Sequence, residues 1–399
     1  DDPAADDSEL SKFGEQLGNA QVVGLGEPTH GSREIFRIKH RLFSYLVRNK
    51  GFRSFAMEAD GAAACDLDRY VRTGEGDPDR LIRELKFWTW KTQEVRDLVL
   101  WMRAYNRSVG PEEAVSFHGL DMQIPAHSSR RVSEYFNRVD KAAADRAAAA
   151  YRCLGDLEHR LERSAEELDP YSQKPVEDQL SCAHRIAEVR DEMVRLRTRY
   201  ERQEPSGYAC ALLSANLMVE AEALLKFPFL RDRFYVENLL ALLGPSGTDA
   251  KVAVWAHNAH VANVPDAMGA GLKRRLGARY AAVASTFYEG TFRAKTAPAA
   301  DGKQPAVTSI LAPPPRADSY EEAFHRAGFK RFFLGLAAAR TGDVAADWLM
   351  GSHPMRQIGG TFHPALANSP TRLAVAYDFV VFFDRAQSSR PLPPAAPPN

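Results

Sequence analysis

Short apolar runs alternating with helical patterns constrain this chain more than any other feature. QVVGLGE (21–27), FRSFAMEAD (52–60) and AVSFHGLD (114–121) have the length and the β-branched and aromatic content of buried strands. Between the first two, EIFRIKHRLFSYLVRNKG carries Ile35, Ile38, Leu42 and Leu46 at helical spacing and closes on Gly51. Further helical patterns cover 62–71 and 94–108. This βαβαβ order predicts an α/β fold: a mostly parallel central sheet flanked by helices.

The middle of the chain changes character. From Ser128 to about Leu243 no strand pattern occurs, and long stretches rich in Ala, Arg, Glu and Leu read as amphipathic helices. Strand patterns resume at 251–260, 281–290, 330–337 and 373–384, and a Pro/Ala-rich segment between two of them reads as a loop. The expected organisation is therefore a first part of the core (10–127), an inserted helical lobe (128–243), a second part of the core (244–385) and a Pro-rich, disordered or extended tail (386–399). The lobe is expected to form a cleft over the C-terminal ends of the strands.

Charge excludes some classes of function. The 399 residues hold 52 basic and 52 acidic side chains, so no global field recruits nucleic acid or an anionic membrane. No run of about 18 apolar residues predicts a membrane span. The first residues carry no signal-peptide pattern. Cys65, Cys153, Cys182 and Cys210 form no C-x-x-C pair, which reads as free thiols in a reducing, cytoplasmic setting.

The stretch VVGLGEPTHGSRE (22–34) raises the functional question. A dinucleotide fingerprint would need glycine where Thr29 stands, and Glu27 with Pro28 would face pyrophosphate with a carboxylate and a missing amide donor. No Walker loop and no G-x-S-x-G elbow occur. What the turn offers is a carboxylate and an imidazole three residues apart at a strand end. Glu58, the pair His118 and Asp121, and the pair His257 and His260 also lie at the ends of apolar runs. In a parallel sheet those ends share one edge, where ligands bind. The set Glu27, His30, Glu58, Asp121, His257 and His260 is thus expected to converge, with His118 and Asp121 supporting. His257-x-x-His260 with Glu27, Glu58 and His30 holds suitable zinc ligands, but the H-E-x-x-H helix is missing, so the site is read as metal-free. A His held by a carboxylate can take a proton from water and send hydroxide to an ester carbonyl. The same groups could instead move protons in a cyclisation or elimination.

These residues also resemble a known family. GLGEPTHGSREIFRIKHRLFSYLVRNKGFRSFAMEAD resembles the opening block of the erythromycin esterases, and FHGLDMQ (117–123), RDRFYVENL (231–239) and VWAHNAHV (254–261) resemble its later blocks in order. The resemblance spans roughly residues 10 to 385. It implies hydrolysis of a macrolide lactone without a covalent nucleophile and without a cofactor or tightly held metal. It places the activating His on His30, the essential carboxylates on Glu27 and Glu58, and the later functional His on His257 rather than His260. Arg33 and Arg231 are expected to line or support the site. The expected partner is a small-molecule natural product, macrolide or polyketide-like. Oligomeric state, exact substrate and the choice between hydrolysis and a biosynthetic cyclisation stay open at this point.

Overall fold

The computed structural model describes residues 7–157, 169–244, 250–296, 306–342 and 344–394. Its strands are β1 (Val22–Leu25), β2 (Ser54–Asp60), β3 (Ser116–Asp121), β4 (Val252–Trp255), β5 (Tyr280–Thr296), β6 (Val307–Leu311), β7 (Arg331–Gly335), β8 (His353–Arg356), β9 (Thr361–Phe362), β10 (Asn368–Thr371) and β11 (Phe379–Ala386). The main sheet runs β3-β2-β4-β1-β5-β11-β7, with β6 and β9 added on β5, and β8 with β10 form a separate ribbon.

The expected parallel core is present: β1 pairs β4 and β5, β2 pairs β4, and β11 pairs β5, all parallel. β7 pairs β11 antiparallel, which makes the sheet mixed. β1 and β4 are buried along their whole length, as parallel strands covered on both faces require. The register aligns the strand ends. Leu25 and Met57 both sit opposite Trp255, and Leu25 also sits opposite Val283. The residues that follow Leu25 and Trp255 therefore leave the sheet side by side, next to the end of β2 that carries Glu58.

Several expectations need correction. The run 251–260 is strand only to Trp255, and then turns into the one-turn helix Asn258–Val261, which His257 caps. The run 373–384 divides into the short helix Leu373–Ala376 and then β11. The Pro/Ala-rich segment read as a loop carries β6, while its residues 297–305 lie outside the described residues. β8 and β10 were hidden because HPMR and NSPT show no apolar alternation and each contains proline. The tail does not dangle from Gln387 to Leu392. The Ser389 amide donates to the Gly31 carbonyl (2.8 Å), the Arg33 amide to Gln387 (2.8 Å), and the Leu392 amide to Lys91 (3.0 Å). Arg390 Nε reaches the buried Glu94 at 2.9 Å.

The chain divides into two compact units. One contains Asp1–Glu58, Tyr70–Phe117 and Val236–Asn399; the other contains Ala59–Arg69 and His118–Tyr235. The second unit is helical and has its own core, built on Tyr135, Phe136, Ile186, Met193, Tyr200 and Met218. Its helix Pro205–Lys226 is long and apolar enough to cross a membrane by length and composition, yet half of its most apolar window is buried within the protein. This unit overturns the free-thiol expectation: Cys65 bonds Cys210 and Cys153 bonds Cys182, with Cα atoms 6.1 and 5.7 Å apart. Helix packing joins residues 145 and 29 positions apart, a pairing invisible in the spacing. Disulfides persist in oxidising surroundings, so the thiol argument for a cytoplasmic setting no longer stands.

Candidate active site

Glu27 leaves β1 through the turn Gly26-Glu27-Pro28-Thr29-His30. The turn is held tightly. Gly26 donates to the Val283 carbonyl (2.7 Å), Ile358 donates to the Pro28 carbonyl (2.6 Å), and His30 donates to the Gly359 carbonyl (3.3 Å). A side chain at Gly26 would bring its Cβ to 2.9 Å from Val261 and from the Val283 carbonyl, so only glycine allows this approach.

The Glu27 side chain is fully buried and accepts from three donors. His30 Nδ1 lies 2.6 Å from Oε1, while Lys39 Nζ (2.7 Å) and Trp255 Nε1 (2.8 Å) both donate to Oε2. Lys39 and Trp255 can only donate, so Oε2 accepts both bonds, and beside the Lys39 ammonium an ionised carboxylate also accepts from His30 on Oε1. His30 then donates from Nδ1, and in the neutral ring Nε2 carries the lone pair. Lys39 is itself buried. Its Nζ also donates to the Ala256 carbonyl at 3.1 Å and stands 4.7 Å from the centre of the Trp255 ring. Burial pushes its ammonium down to about 8, against the attraction of Glu27 and Glu58.

The second half of the site comes from β2 and from the end of β4. Glu58 Oε2 accepts the main-chain N–H of His257 at 2.9 Å, and Oε1 lies 3.3 Å from His260 Nε2. The His257 ring accepts the Ala259 N–H on Nδ1 (3.2 Å). That bond assigns the ring proton to Nε2, which is buried and completes no hydrogen bond of ordinary geometry among the described residues. Burial pushes His257 down to about 3, helped by the nearby His30 and opposed by Glu58 and the Pro28 carbonyl. His257 is therefore a neutral donor at neutral pH. The His30 and His257 rings stand 5.4 Å apart between centres, and the Trp90 ring lies edge-on to His30 at 5.5 Å. The arrangement pairs a carboxylate-held base with a neutral N–H donor, the groups acyl chemistry needs.

Of the residues expected to converge, Glu27, His30, Glu58, His257 and His260 do so, all in the first unit. Arg33 opens the helix Arg33–Lys50, half-buried. Asp121, Arg231 and His118 belong to the second unit. There Asp121 Oδ2 accepts from Arg231 Nη2 (2.5 Å) and from the Tyr235 hydroxyl (2.9 Å). His118 sits within β3, half-buried.

A family model described as Erythromycin esterase matches residues 47–386. The chain belongs to the erythromycin esterase family. Erythromycin esterase type II of Escherichia coli is 25% identical to it over 310 residues, 69% of this chain and 70% of that one. Among solved structures, a succinoglycan biosynthesis protein superposes with a TM-score of 0.77 at 25% identity, covering 98% of this chain and 94% of that one. A mutant erythromycin esterase in its open conformation shares the fold, with a TM-score of 0.70 at 16% identity, 98% of this chain and 96% of that one. The family match contains Glu58, His118, Asp121, Arg231, His257 and His260; Glu27, His30 and Arg33 precede it.

The sequence reading missed Lys39, Trp90 and Trp255. Lys39 carried a usable signal: it lies four residues after Ile35, on the apolar stripe of its helix, and a lysine buried there demands a carboxylate partner. It also missed a buried pair in the second unit. Asp60 Oδ1 accepts the Ala63 N–H (2.6 Å) and faces His127 Nδ1 at 3.1 Å, and burial pushes the Asp60 carboxyl up.

Proposed function

We propose that this member of the erythromycin esterase family hydrolyses an ester or lactone of a macrolide or related natural product by direct attack of an activated water. His30, held by Glu27, takes a proton from water through Nε2. The hydroxide adds to the carbonyl carbon, and the oxyanion accepts a hydrogen bond from Nε2–H of His257. Collapse breaks the C–O bond, and the proton held by His30 passes to the leaving alkoxide. Lys39 and Trp255 keep Glu27 an acceptor, so it orients His30 and stabilises the imidazolium without taking the proton itself. Glu58 anchors the His257 backbone and steadies His260.

The observation that carries this reading is the polarity of the two imidazoles. One is aimed by a triply bonded carboxylate and keeps a lone pair outward. The other is kept neutral with its proton on Nε2. No nucleophilic Ser or Cys is needed, and all four cysteines are in disulfides. Family membership favours hydrolysis over an intramolecular cyclisation. The test is turnover of aryl esters and macrolides in 18O-labelled water, followed by mass spectrometry. Hydrolysis by this route gives a product one water heavier with one 18O in the carboxylate. An isomeric product without the label contradicts it, as does an acyl-enzyme trapped at high substrate.

A further inference from the structure

The stretch QSSRPLPP (387–394) ties together the two segments whose side chains meet at the His30 ring. Its three prolines hold the chain extended and remove amide donors. A segment so restricted loses little conformational freedom when it docks, and it docks through the amides that remain. Its first half lies along the residues after His30. The Arg33 amide donates to the Gln387 carbonyl (2.8 Å), and the Ser389 amide donates to the Gly31 carbonyl (2.8 Å). Its second half lies along the residues after Trp90. The Gln93 amide donates to the Arg390 carbonyl (2.8 Å), and the Leu392 amide donates to the Lys91 carbonyl (3.0 Å). The side chains of Ser389 and Leu392 are buried, while Arg390 and Pro391 between them are exposed.

Glu94 fixes the register of this strap. It lies in the first turn of the helix Gln93–Ser108, and its side chain is buried. Oε2 accepts the Arg390 main-chain N–H (3.0 Å) and Oε1 accepts Arg390 Nε (2.9 Å). A buried carboxylate needs such donors. A slip of one residue would offer it Ser389 or Pro391, neither of which carries a guanidinium. The Gly31 carbonyl also accepts the Arg293 amide of β5 (3.0 Å), so β5 and the strap together hold the peptide that follows His30. At the ring itself, Glu27 fixes Nδ1 and Trp90 lies edge-on, 5.5 Å between centres. The aim of Nε2 therefore depends on the His30 turn and the Trp90 turn keeping their places, and the strap bonds to both. A misplacement of about 1 Å at a reacting group can cost on the order of a hundredfold in rate.

We propose that Glu94, Ser389 and Arg390 are positioning residues for the base: His30 is aimed only when residues 387–392 are docked across the His30 and Trp90 turns. The proposal rests on the hydrolase reading above and concerns a segment beyond the residues that the family model matches, which end at 386. The test is Ser389→Pro, which removes the amide donor to Gly31 and touches neither histidine. kcat for 4-nitrophenyl acetate should fall about 10- to 100-fold, with KM within about twofold, at a temperature where the variant is folded. Wild-type kcat in the folded variant overturns the proposal, as does a loss carried by KM alone, and either leaves the hydrolase standing. If Ser389→Pro does not fold, Arg390→Ala and Arg390→Lys decide. A loss of kcat in Arg390→Ala that Arg390→Lys largely restores supports the strap, and no loss, or an equal loss in both, overturns it. If wild type hydrolyses no ester, the hydrolase reading fails and the 15N spectrum of the neutral His30 ring, assigned by its absence in His30→Gln, decides the strap. Wild type should carry the proton on Nδ1, as the bond to Glu27 requires, and Ser389→Pro should shift the ring toward a mixture of tautomers. An unmoved His30 signal overturns the proposal.

Discussion

Replacing Lys39 by methionine separates the electrostatic role of this lysine from its packing. The two side chains are similar in length, so the change removes one charge and two hydrogen bonds and leaves most of the volume. Two large effects oppose each other. Burial moves the ammonium from 10.5 to about 8, which corresponds to roughly 3 kcal/mol of desolvation left after its attractions. Methionine removes that penalty. It also leaves Glu27, fully buried, with His30 and Trp255 as its remaining side-chain donors, and breaking a buried pair costs about 3–5 kcal/mol. The pair-breaking figure already includes the relief of the removed ion, so the expected stability loss is about 3–5 kcal/mol. Activity should fall as well, because Glu27 loses one of the two donors that fix its Oε2 and with it the aim of His30: kcat/KM for 4-nitrophenyl acetate at neutral pH should drop about tenfold. Urea denaturation and kcat/KM with 4-nitrophenyl acetate measure both. An unchanged kcat/KM in the folded variant would refute the reasoning and make Lys39 purely structural.

Two further outcomes follow from the same structure. His257 is held near 3 in the fold against 6.5 when unfolded, so between those values the unfolded chain binds the extra proton. Its contribution to stability is intact above about pH 6.5 and falls as pH drops toward 3, by roughly 5 kcal/mol in the limit. His257→Asn should flatten that acid dependence in denaturant titrations between pH 4 and 7, and an unchanged slope contradicts the burial of a neutral ring. The disulfides give a mass four hydrogens below the reduced chain and a drop in Tm on reduction. Their loop lengths correspond to about 4 and 5 kcal/mol by chain entropy. Free thiols detected in the unreduced, denatured protein would contradict the pairing.

What the sequence revealed depended on whether a signal was local. β1, β2 and β3 were legible because each is a continuous apolar run, and Glu27, His30 and Glu58 were legible because they interrupt or end such runs. His257 was found in the right segment, although its strand stops at Trp255 and the residue works as a helix cap. β8 and β10 were not legible, since strands short of apolar residues look like loops and are specified only by their partner. The disulfides were illegible for the same reason: Cys65 and Cys210 meet through helix packing. Lys39 stood between, visible as a charge on an apolar stripe but meaningful only once Glu27 was seen to face it. The Pro-rich composition of the tail predicts disordered or extended chain and carries no sign of the main-chain partners, Gly31, Arg33 and Lys91, that hold the stretch from Gln387 to Leu392.

The proposed chemistry turns on His30, aimed by Glu27, as the base that activates water. The decisive measurement is kcat of His30→Gln on a macrolide or aryl ester with Tm recorded alongside. kcat should fall by about two to four orders of magnitude at nearly unchanged Tm. A loss below about tenfold in a folded protein would contradict it and assign the base elsewhere.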